Sequence, residues 1–374
     1  MKRALVVLAA ALGLAFAAKG CRAPSIHTSL NVEDPRVQTI LPTDRCGDFF
    51  IVDVMVDGKG PYPMLLDTGA GTTVLSPRIA EATGISSRME TVAIDDFLAT
   101  GSIPCRVRKV DHLSRALGAH IEGILAYGVF EGMLLTYDYP AGQIRLQQGG
   151  FEAAELESPG YVHTSKGTRP FVRGATDTRD FTILVDTGSS GAVALRKAKR
   201  FDLETPLQPT NGHMRINGLF VDKGARLKGN LTIGPINLER PILKKAVKVN
   251  LVGQQVLRHF VLTFDQVNHR LRIQRPVGEL SDVISMSSIY GLGIVLAPEG
   301  DRKVIRRIFE GSAAEAAGLR VDDHIMAIDD EPIGERGCDP KSRMRSAEAQ
   351  SMELVVERAG ERMLFTILTR ALIE

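Results

Sequence analysis

The chain has 374 residues, 44% of them hydrophobic and 24% charged, which is long enough for two or three domains with buried cores. The formal net charge is only +2 and no long basic tract occurs, so composition gives no support to nucleic acid as a partner. Tryptophan is absent, and the four cysteines and eight histidines are widely scattered, so neither an aromatic carbohydrate platform nor a metal site is indicated, and no cofactor is expected.

The N-terminus has the pattern of an export signal. Lys2-Arg3 precedes an apolar run at residues 4–18, which is too short for a comfortable membrane span. Two processing outcomes remain open. Residues 15–17 offer a small-x-small cleavage site, whereas the stretch that ends in Cys21 resembles a lipobox whose cysteine is acylated, although Lys19 departs from the usual small or apolar residue.

Residues 1–20 are therefore predicted to be a signal peptide, and residues 21–45 a polar tether that contains three prolines and no sustained periodicity. The expected location is the periplasm or cell envelope. If Cys21 is acylated, the tether sets the distance between a membrane and the folded body.

The first folded segment reads as a hairpin followed by a strand and a helix. Residues 49–56 alternate apolar and polar side chains, and the sequence Asp-Gly-Lys-Gly at 57–60 supplies a turn. A helix is predicted to begin with Ser76 as its cap and Pro77 at its first position, and to end at Gly84.

The tripeptide Asp-Thr-Gly occurs twice, at 67–69 and at 186–188. Each copy closes a short apolar run and precedes small and β-branched residues, which indicates a strand, a tight turn and a second strand. Such a turn holds a carboxylate at the end of a sheet. A basic helix is predicted to begin at residues 196–200, and we interpret its charge as a solvated face.

The regions behind the two tripeptides form an internal repeat. Residues 124–146 align without a gap to residues 251–273, at an offset of 127 (251 − 124). The tripeptides themselves are offset by 119 (186 − 67), so the second copy carries about eight extra residues. A duplicated unit with one insertion explains both offsets.

This order of strand, Asp-Thr-Gly, apolar-apolar-Gly and Thr-aromatic-Asp resembles the retropepsin-type aspartic proteases. In particular it resembles bacterial members that carry two such units and a PDZ domain in one chain. The resemblance implies a mainly β fold: a bilobal, pseudo-twofold pair of retropepsin or pepsin-like β-barrels, with lobe 1 at 46–150 and lobe 2 at 151–276. A PDZ domain, an α+β partly open barrel, would occupy residues 277–374.

The resemblance also implies roles for the residues of the two turns. Asp67 and Asp186 would be the catalytic pair that activates water for peptide hydrolysis. In support of them, Thr68 and Thr187 would tie the turns together, while Gly69 and Gly188 would let the two backbones approach closely. The alternatives are aspartates that only cap turns, or a non-catalytic peptide-binding scaffold that keeps the protease fold.

A protease of this type is expected to place a flap over its cleft. In the second unit the stretch 212–220 is a candidate, with Met214, Ile216 and Gly218 as flap residues. In the first unit the corresponding space at 85–98 is short and contains no glycine, so its flap is predicted to be reduced or missing.

The C-terminal region resembles a PDZ domain in three stretches: 290–296, 311–320 and 321–328. Its peptide-binding loop would consist of Gly291, Leu292, Gly293 and Ile294, with backbone amides facing a peptide carboxylate and a neighbouring strand open to an added strand. Asp322 stands where the family usually has glycine. The alternative is a PDZ-like domain that only packs against the protease.

The sequence therefore predicts an exported aspartic endopeptidase, expected to be a monomer, whose partners are peptide or protein substrates and a C-terminal peptide at the PDZ domain. A membrane partner is expected only through a lipid at Cys21. Cys46 and Cys105 are candidates for a disulfide in an oxidising compartment, which would leave Cys338 single.

Overall fold

A computed structural model describes twelve stretches of the chain: 38–85, 90–92, 94–95, 103–157, 160–215, 218–246, 248–276, 283–285, 288–299, 302–332, 345–346 and 348–373. Strands predominate throughout them, which confirms the mainly β class. Cys21, Ile216 and Cys338 lie outside the described residues.

The first lobe consists of eleven described strands, two helices and a 3₁₀ turn at Tyr127–Phe130. The helices are α1 (Pro77–Thr83) and α2 (Asp111–Leu117). The strands are β1 (Thr39–Leu41), β2 (Asp44–Cys46), β3 (Phe49–Val56), β4 (Lys59–Asp67), β5 (Thr73–Leu75), β6 (Glu90–Val92), β7 (Ile94–Asp95), β8 (Ile103–Val107), β9 (Gly123–Ala126), β10 (Met133–Asp138) and β11 (Gln143–Gln148).

Local sequence explains the start of this lobe. The β3–β4 hairpin forms as predicted, because Asp57 (φ 51°) and Gly58 (φ 69°) both adopt the left-handed conformation that a tight hairpin turn requires. Helix α1 also begins and ends as predicted: the Ser76 hydroxyl accepts a hydrogen bond from the Ile79 amide at 3.2 Å, and Gly84 ends the helix at φ 76°.

The second lobe consists of twelve described strands, the helix α3 (Gln254–Leu257) and a 3₁₀ turn. The strands are β12 (Tyr161–His163), β13 (Phe171–Thr176), β14 (Arg179–Val185), β15 (Val193–Leu195), β16 (Gln208–Arg215), β17 (Gly218–Arg226), β18 (Asn230–Ile233), β19 (Ile236–Glu239), β20 (Ile242–Lys245), β21 (Leu251–Val252), β22 (Val261–Asp265) and β23 (Arg270–Gln274).

One local prediction in this lobe is wrong. Residues 196–200 do not begin an α-helix, and only Ala198–Arg200 form a 3₁₀ turn. The reason is Lys197, whose φ of 55° is left-handed and cannot continue a right-handed helix.

The internal repeat appears as a repeated strand topology. In the first lobe β4 pairs in parallel with β9, β9 pairs with β5 in antiparallel fashion, and β5 pairs in parallel with β8. In the second lobe β14, β21, β15 and β20 repeat the same three pairings in the same order. Each Asp-Thr-Gly turn therefore connects the first and third strands of an equivalent four-strand unit.

The two lobes share a six-stranded sheet in the order β1-β11-β10-β22-β23-β12. At its centre β10 pairs with β22 in antiparallel fashion, with Thr136 opposite Thr263. These two threonines are related by the repeat offset of 127 (263 − 136), so a pseudo-twofold axis passes between them. Their buried hydroxyls are joined by a hydrogen bond of 3.0 Å.

A single hydrophobic core contains buried side chains from both lobes. The predicted disulfide does not form within it. Cys105 lies in this core, whereas Cys46 lies in a smaller cluster with Ile51 and Leu65, and its thiol donates a hydrogen bond to the carbonyl of Leu117 at 3.3 Å. The pairing prediction fails because similar positions along the chain do not place two side chains against the same part of a core.

The C-terminal unit has a separate hydrophobic core. It contains the helix α4 (Ala313–Ala316) and the strands β24 (Val283–Ser285), β25 (Ile289–Gly291), β26 (Ile294–Glu299), β27 (Arg302–Ile308), β28 (His324–Ile328), β29 (Glu331–Pro332), β30 (Arg345–Ser346), β31 (Ser351–Arg358), β32 (Glu361–Leu368) and β33 (Arg370–Ile373). Strand β24 pairs in parallel with β19 and so joins this unit to the sheet of the second lobe.

Candidate active site

Each Asp-Thr-Gly turn holds its carboxylate with its own backbone. Asp67 is the last residue of β4, and its Oδ1 accepts hydrogen bonds from the amides of Gly69 at 2.7 Å and Ala70 at 3.2 Å. Asp186 follows β14, and its Oδ1 accepts from the amide of Gly188 at 3.1 Å. Each turn therefore orients its own carboxylate through hydrogen bonds within the same lobe.

The two glycines show how closely the turns approach each other. A Cβ atom placed on Gly69 would lie 2.4 Å from Oδ1 of Asp186, and one placed on Gly188 would lie 2.3 Å from Cγ of Asp67. Both distances are well below a normal carbon contact, so only glycine fits at either position. Each glycine thus makes room for the aspartate of the opposite lobe.

The two threonines connect the turns by hydrogen bonds. The amide of Thr68 donates to Oγ1 of Thr187 at 3.0 Å, and the amide of Thr187 donates to Oγ1 of Thr68 at 3.1 Å. The hydroxyl of Thr68 also donates to the carbonyl of Val185 at 2.7 Å. Both threonines are almost completely buried, so these bonds are shielded from water and hold the two aspartates in a fixed relative position.

Burial and mutual repulsion favour one proton on the aspartate pair. The pKa of Asp186 is raised to about 7, chiefly by desolvation and then by the negative charge of Asp67. The pKa of Asp67 is also raised by desolvation, although hydrogen bonds from the backbone and from Asp186 oppose that rise. These opposite effects describe a pair in which protonated Asp186 donates a hydrogen bond to ionised Asp67.

The site is less symmetric than the repeat that builds it. The hydroxyl of Thr187 donates to the hydroxyl of Tyr137 at 3.3 Å, whereas the repeat-related position of Tyr137 is Phe264, which has no hydroxyl. The pKa of the buried Tyr137 is raised, first by desolvation and further by the nearby aspartates, so its hydroxyl stays neutral. Sequence reasoning missed this residue, although the Tyr-to-Phe mismatch within the aligned repeat was a usable signal.

A second asymmetric residue, Gln254, joins the lobes beside the dyad. It is buried, and its side-chain amide donates to the carbonyl of Thr187 at 2.6 Å and to that of Asp48 at 3.2 Å. The repeat-related residue in the first lobe is Tyr127. This role was also missed, because an isolated glutamine carries no chemical pattern.

The predicted flap stretch of the second lobe forms a hairpin. Met214 lies in β16 opposite Leu219, and Gly218 begins β17 opposite Arg215. Ile216, the third predicted flap residue, lies outside the described residues. In the first lobe β6 takes the position of β17, because β6 pairs with β8 as β17 pairs with β20. The prediction of a reduced or missing first flap falls partly on residues outside the described stretches and stays a prediction.

The predicted peptide-binding loop of the C-terminal unit connects β25 to β26. Gly291 ends β25, Ile294 begins β26, and Leu292 and Gly293 lie between them. The carbonyl groups of Leu292 and Gly293 accept hydrogen bonds from the Ala314 and Phe309 amides. Gly293 has a φ of 75°, which glycine adopts without strain.

Metal-binding clusters and membrane-spanning helices are both absent from the described stretches. These stretches contain no group of three or more His, Cys, Asp or Glu side chains that could hold a metal ion. None of their helices is both long and apolar enough to cross a membrane.

Comparisons with known families agree with the resemblance derived from the sequence. Residues 52–127 match the family model of an aspartyl protease, and residues 283–357 match that of a PDZ domain. The chain thus contains an aspartyl protease domain followed by a C-terminal PDZ domain. The matched protease region includes the first Asp-Thr-Gly turn, whereas the second turn lies beyond it.

Comparisons with individual proteins add little. No curated protein matches the chain. Among solved structures, a photosystem II D1 C-terminal processing protease is 20% identical over 22% of this chain, with a TM-score of 0.21. The similar region spans only 24% of that protein.

Proposed function

We propose that this protein is an aspartic endopeptidase that hydrolyses peptide bonds with a water molecule activated between Asp67 and Asp186. The close approach of the two turns to each other is the main support for the proposal. A residue larger than glycine at Gly69 or Gly188 would displace the aspartate of the opposite turn. A pair of aspartates that only capped their own turns would not need this cross-lobe fit. The aspartyl protease domain at residues 52–127 supports the same reaction class.

The proposed mechanism follows from the uneven proton affinities of the pair. Ionised Asp67 accepts a proton from the bound water, and protonated Asp186 donates a hydrogen bond to the scissile carbonyl oxygen. Water attacks the carbonyl carbon, and the carbonyl oxygen takes the proton of Asp186. The tetrahedral intermediate collapses when the proton held by Asp67 passes to the leaving nitrogen and a hydroxyl of the intermediate returns its proton to Asp186. The peptide C–N bond breaks, and the dyad is left again with one proton.

The single proton predicts the pH dependence of cleavage. The pKa of Asp186 is raised to about 7 by desolvation and by Asp67, so the active monoprotonated pair exists on the acidic side of that value. Activity should therefore decline as the pH rises through 7. This value describes the pair of carboxyls, because the two groups interact and do not titrate independently.

The deciding experiment compares the full chain with Asp67→Asn and Asp186→Asn on a diverse peptide mixture from about pH 4 to 7, with products identified by mass spectrometry. Asp180→Asn is a matched control, because Asp180 lies in the same lobe but is exposed and forms a surface ion pair of 2.7 Å with Arg173. Discrete cuts should disappear in both dyad variants and persist in the control. Cuts that survive in both dyad variants would refute the assignment, and absence of cuts in every protein would favour a non-catalytic peptide-binding scaffold.

We further propose that the protein is exported and that its substrates are proteins or peptides of the cell envelope. The basic start and short apolar run at residues 1–20 support export. Replacement of Cys21 by Ser tests the anchor: the variant should move from the membrane fraction to the soluble fraction if Cys21 is acylated. An unchanged distribution would favour simple cleavage of the signal. The PDZ domain supports peptide recognition as the second activity of the chain.

A further inference from the structure

One end of the second-lobe sheet, opposite the Asp186 turn, carries a concentration of positive charge. Strand β14 runs from Arg179 at this end to Val185 beside the dyad. Strand β21 is parallel to β14, whereas β15 is antiparallel to β21 and parallel to β20. The segments that follow β15 and β20 therefore leave the sheet at the end where β14 begins, roughly 20 Å from Asp186 at the usual rise per strand residue.

Two adjacent segments at this end contain several cations and no acidic residue. Residues 196–200 read Arg-Lys-Ala-Lys-Arg, with four cations, and residues 244–248 read Lys-Lys-Ala-Val-Lys, with three. They begin side by side, because Leu195 pairs with Lys245 and the amide of Ala246 donates to the carbonyl of Leu195 at 2.9 Å. The whole chain has a net charge of only +2, so this clustering is a local feature and does not reflect overall composition.

A cavity of about 220 Å³ lies between the first of these segments and the start of β14. Four cations line it: Arg179, Arg196, Lys197 and Arg200. The one carboxylate in the lining, Asp180, is bound to Arg173 at 2.7 Å. None of the four cations forms an ion pair with a residue that the structure describes, and all four are exposed. The cavity therefore has an excess of positive charge that is open to an anionic ligand.

The internal repeat shows that the fold does not require this charge. In the first lobe the residues that follow β5, the counterpart of β15, are Ser-Pro-Arg-Ile-Ala at 76–80. Their single cation, Arg78, forms an ion pair of 2.7 Å with Glu122. The same position in the second lobe holds four cations. The positive charge is therefore a property of one copy only, as expected for a binding surface.

The groups around the cavity provide charge but few other contacts, and this narrows the class of ligand. Both ends of the Asn250 side chain are already bonded: its oxygen accepts from the Arg196 amide at 2.7 Å, and its nitrogen donates to a carbonyl of β14 at 2.8 Å. Phe201 is buried, packs edge to face on Phe181 and lies beneath the guanidinium of Arg179, so its ring cannot stack on a nucleic-acid base. Phosphate groups bind Lys and Arg side chains without needing such contacts.

We propose that this end of the second lobe is a membrane contact that binds the phosphate headgroups of anionic phospholipids. Its cations lie where neighbouring strands begin and end, so several of them face one planar surface together. A single small anion would use only the cavity, whereas a bilayer engages both basic segments. Because Asp186 lies at the opposite end of β14, the contact holds the dyad roughly 20 Å from the lipid surface.

This contact is separate from acylation of Cys21 and from proteolysis. One lipid chain or one basic surface alone gives reversible membrane binding, and the two together give stable attachment. Each Lys or Arg beside an anionic bilayer strengthens binding about fivefold, so the loss of three cations should weaken it about 100-fold.

Vesicle sedimentation of the full chain carrying Cys21→Ser, which removes the acylation site, tests the proposal. The probe is vesicles of phosphatidylglycerol and phosphatidylcholine, and vesicles of phosphatidylcholine alone measure any binding through the apolar N-terminus. The protein should prefer the anionic vesicles, and added salt should release it, because salt screens exposed charges. The triple variant Arg196→Gln, Lys197→Gln and Arg200→Gln should bind them about 100-fold more weakly.

Two control variants separate this surface from net charge and from folding. Lys166→Gln combined with Arg320→Gln and Arg362→Gln removes three exposed cations that lie elsewhere, and it should bind like the parent. Arg196→Lys combined with Arg200→Lys keeps the charge and should also bind like the parent. All variants should keep the thermal midpoint of the parent, because the replaced side chains are exposed.

Three results would overturn the membrane contact. The first is equal binding by the triple variant and the parent, and the second is no preference for anionic vesicles. The third is release from the vesicles by inorganic phosphate or by an oligoglutamate peptide at an ionic strength where sodium chloride has no effect, which would indicate a site for a free anion or an acidic protein. Vesicle binding without any peptide cleavage would instead count against the protease proposal alone.

Discussion

Replacement of Asp186 by asparagine should make the stability of the protease lobes less dependent on pH. Burial and the charge of Asp67 raise the pKa of Asp186 from 3.8 to about 7, so the folded state holds this proton more tightly than the unfolded chain does. Stability from this group is complete below pH 3.8 and is lost as the pH rises toward 7. The asparagine side chain cannot ionise, so the variant lacks that loss.

The size of the effect follows from the pKa difference. A difference of about three units corresponds to about 4 kcal/mol, since one unit is worth about 1.4 kcal/mol. Both aspartates keep partial exposure to solvent, and we take screening to reduce the effect to about half, about 2 kcal/mol. For lobes of this size that difference shifts the midpoint of thermal unfolding by roughly 4–8 °C between pH 4 and pH 8.

The assay is thermal unfolding followed by near-ultraviolet circular dichroism. Five of the six tyrosines lie in the two lobes, so this signal reports the protease unit rather than the PDZ domain. The melting temperature of the wild-type protein should fall relative to that of Asp186→Asn as the pH rises, and Asp180→Asn should follow the wild type. Parallel pH profiles for wild type and Asp186→Asn would refute the raised pKa and with it the one-proton dyad.

Variants at three further places have expected outcomes. Gly188→Ala should lower peptide cleavage more than about 100-fold while far-ultraviolet dichroism stays native, because its Cβ would lie 2.3 Å from Cγ of Asp67; near-normal activity would contradict the close approach. Thr136→Val or Thr263→Val alone should cost about 1–3 kcal/mol in urea unfolding by stranding one buried hydroxyl, whereas the double variant should regain most of this loss; simple additivity would count against the shared bond. Tyr137→Phe should reduce kcat about fivefold with little change in KM, since it removes one hydrogen bond of about 1 kcal/mol beneath the dyad; an unaltered kcat would show that the bond does not position it.

The hairpin turn and the capped helix of the first lobe were predictable because their causes are local. Asp57-Gly58 provides left-handed conformations, and Ser76 followed by Pro77 provides a helix start, whatever lies around them. The short turn at 196–200 shows the limit of such reasoning. Its composition suits a helix, but the left-handed conformation of Lys197 ends the pattern, and nothing in the residue type announces it.

The candidate dyad was predictable for a different reason. Two copies of Asp-Thr-Gly in a duplicated unit imply a twofold relation, and a twofold relation brings equivalent turns face to face. In the structure, Thr136 pairs with Thr263, the equivalent residue of the second copy, as a twofold relation requires. Symmetry, however, says nothing about where the copies differ.

The duplicated β architecture, the C-terminal PDZ domain and the meeting of two particular carboxylates could be read from the amino-acid sequence, because strand patterns, turn chemistry and repetition are written in neighbouring residues. Three other features became visible only in the folded chain: Tyr137 and Gln254 support one side of the dyad, Cys46 and Cys105 lie in different clusters, and strand β16 of the second lobe lies beside β26 of the PDZ domain. These contacts join residues that are distant along the chain. They depend on which surfaces fit together after folding. Packing of that kind produces no repeating pattern of residues in a single sequence.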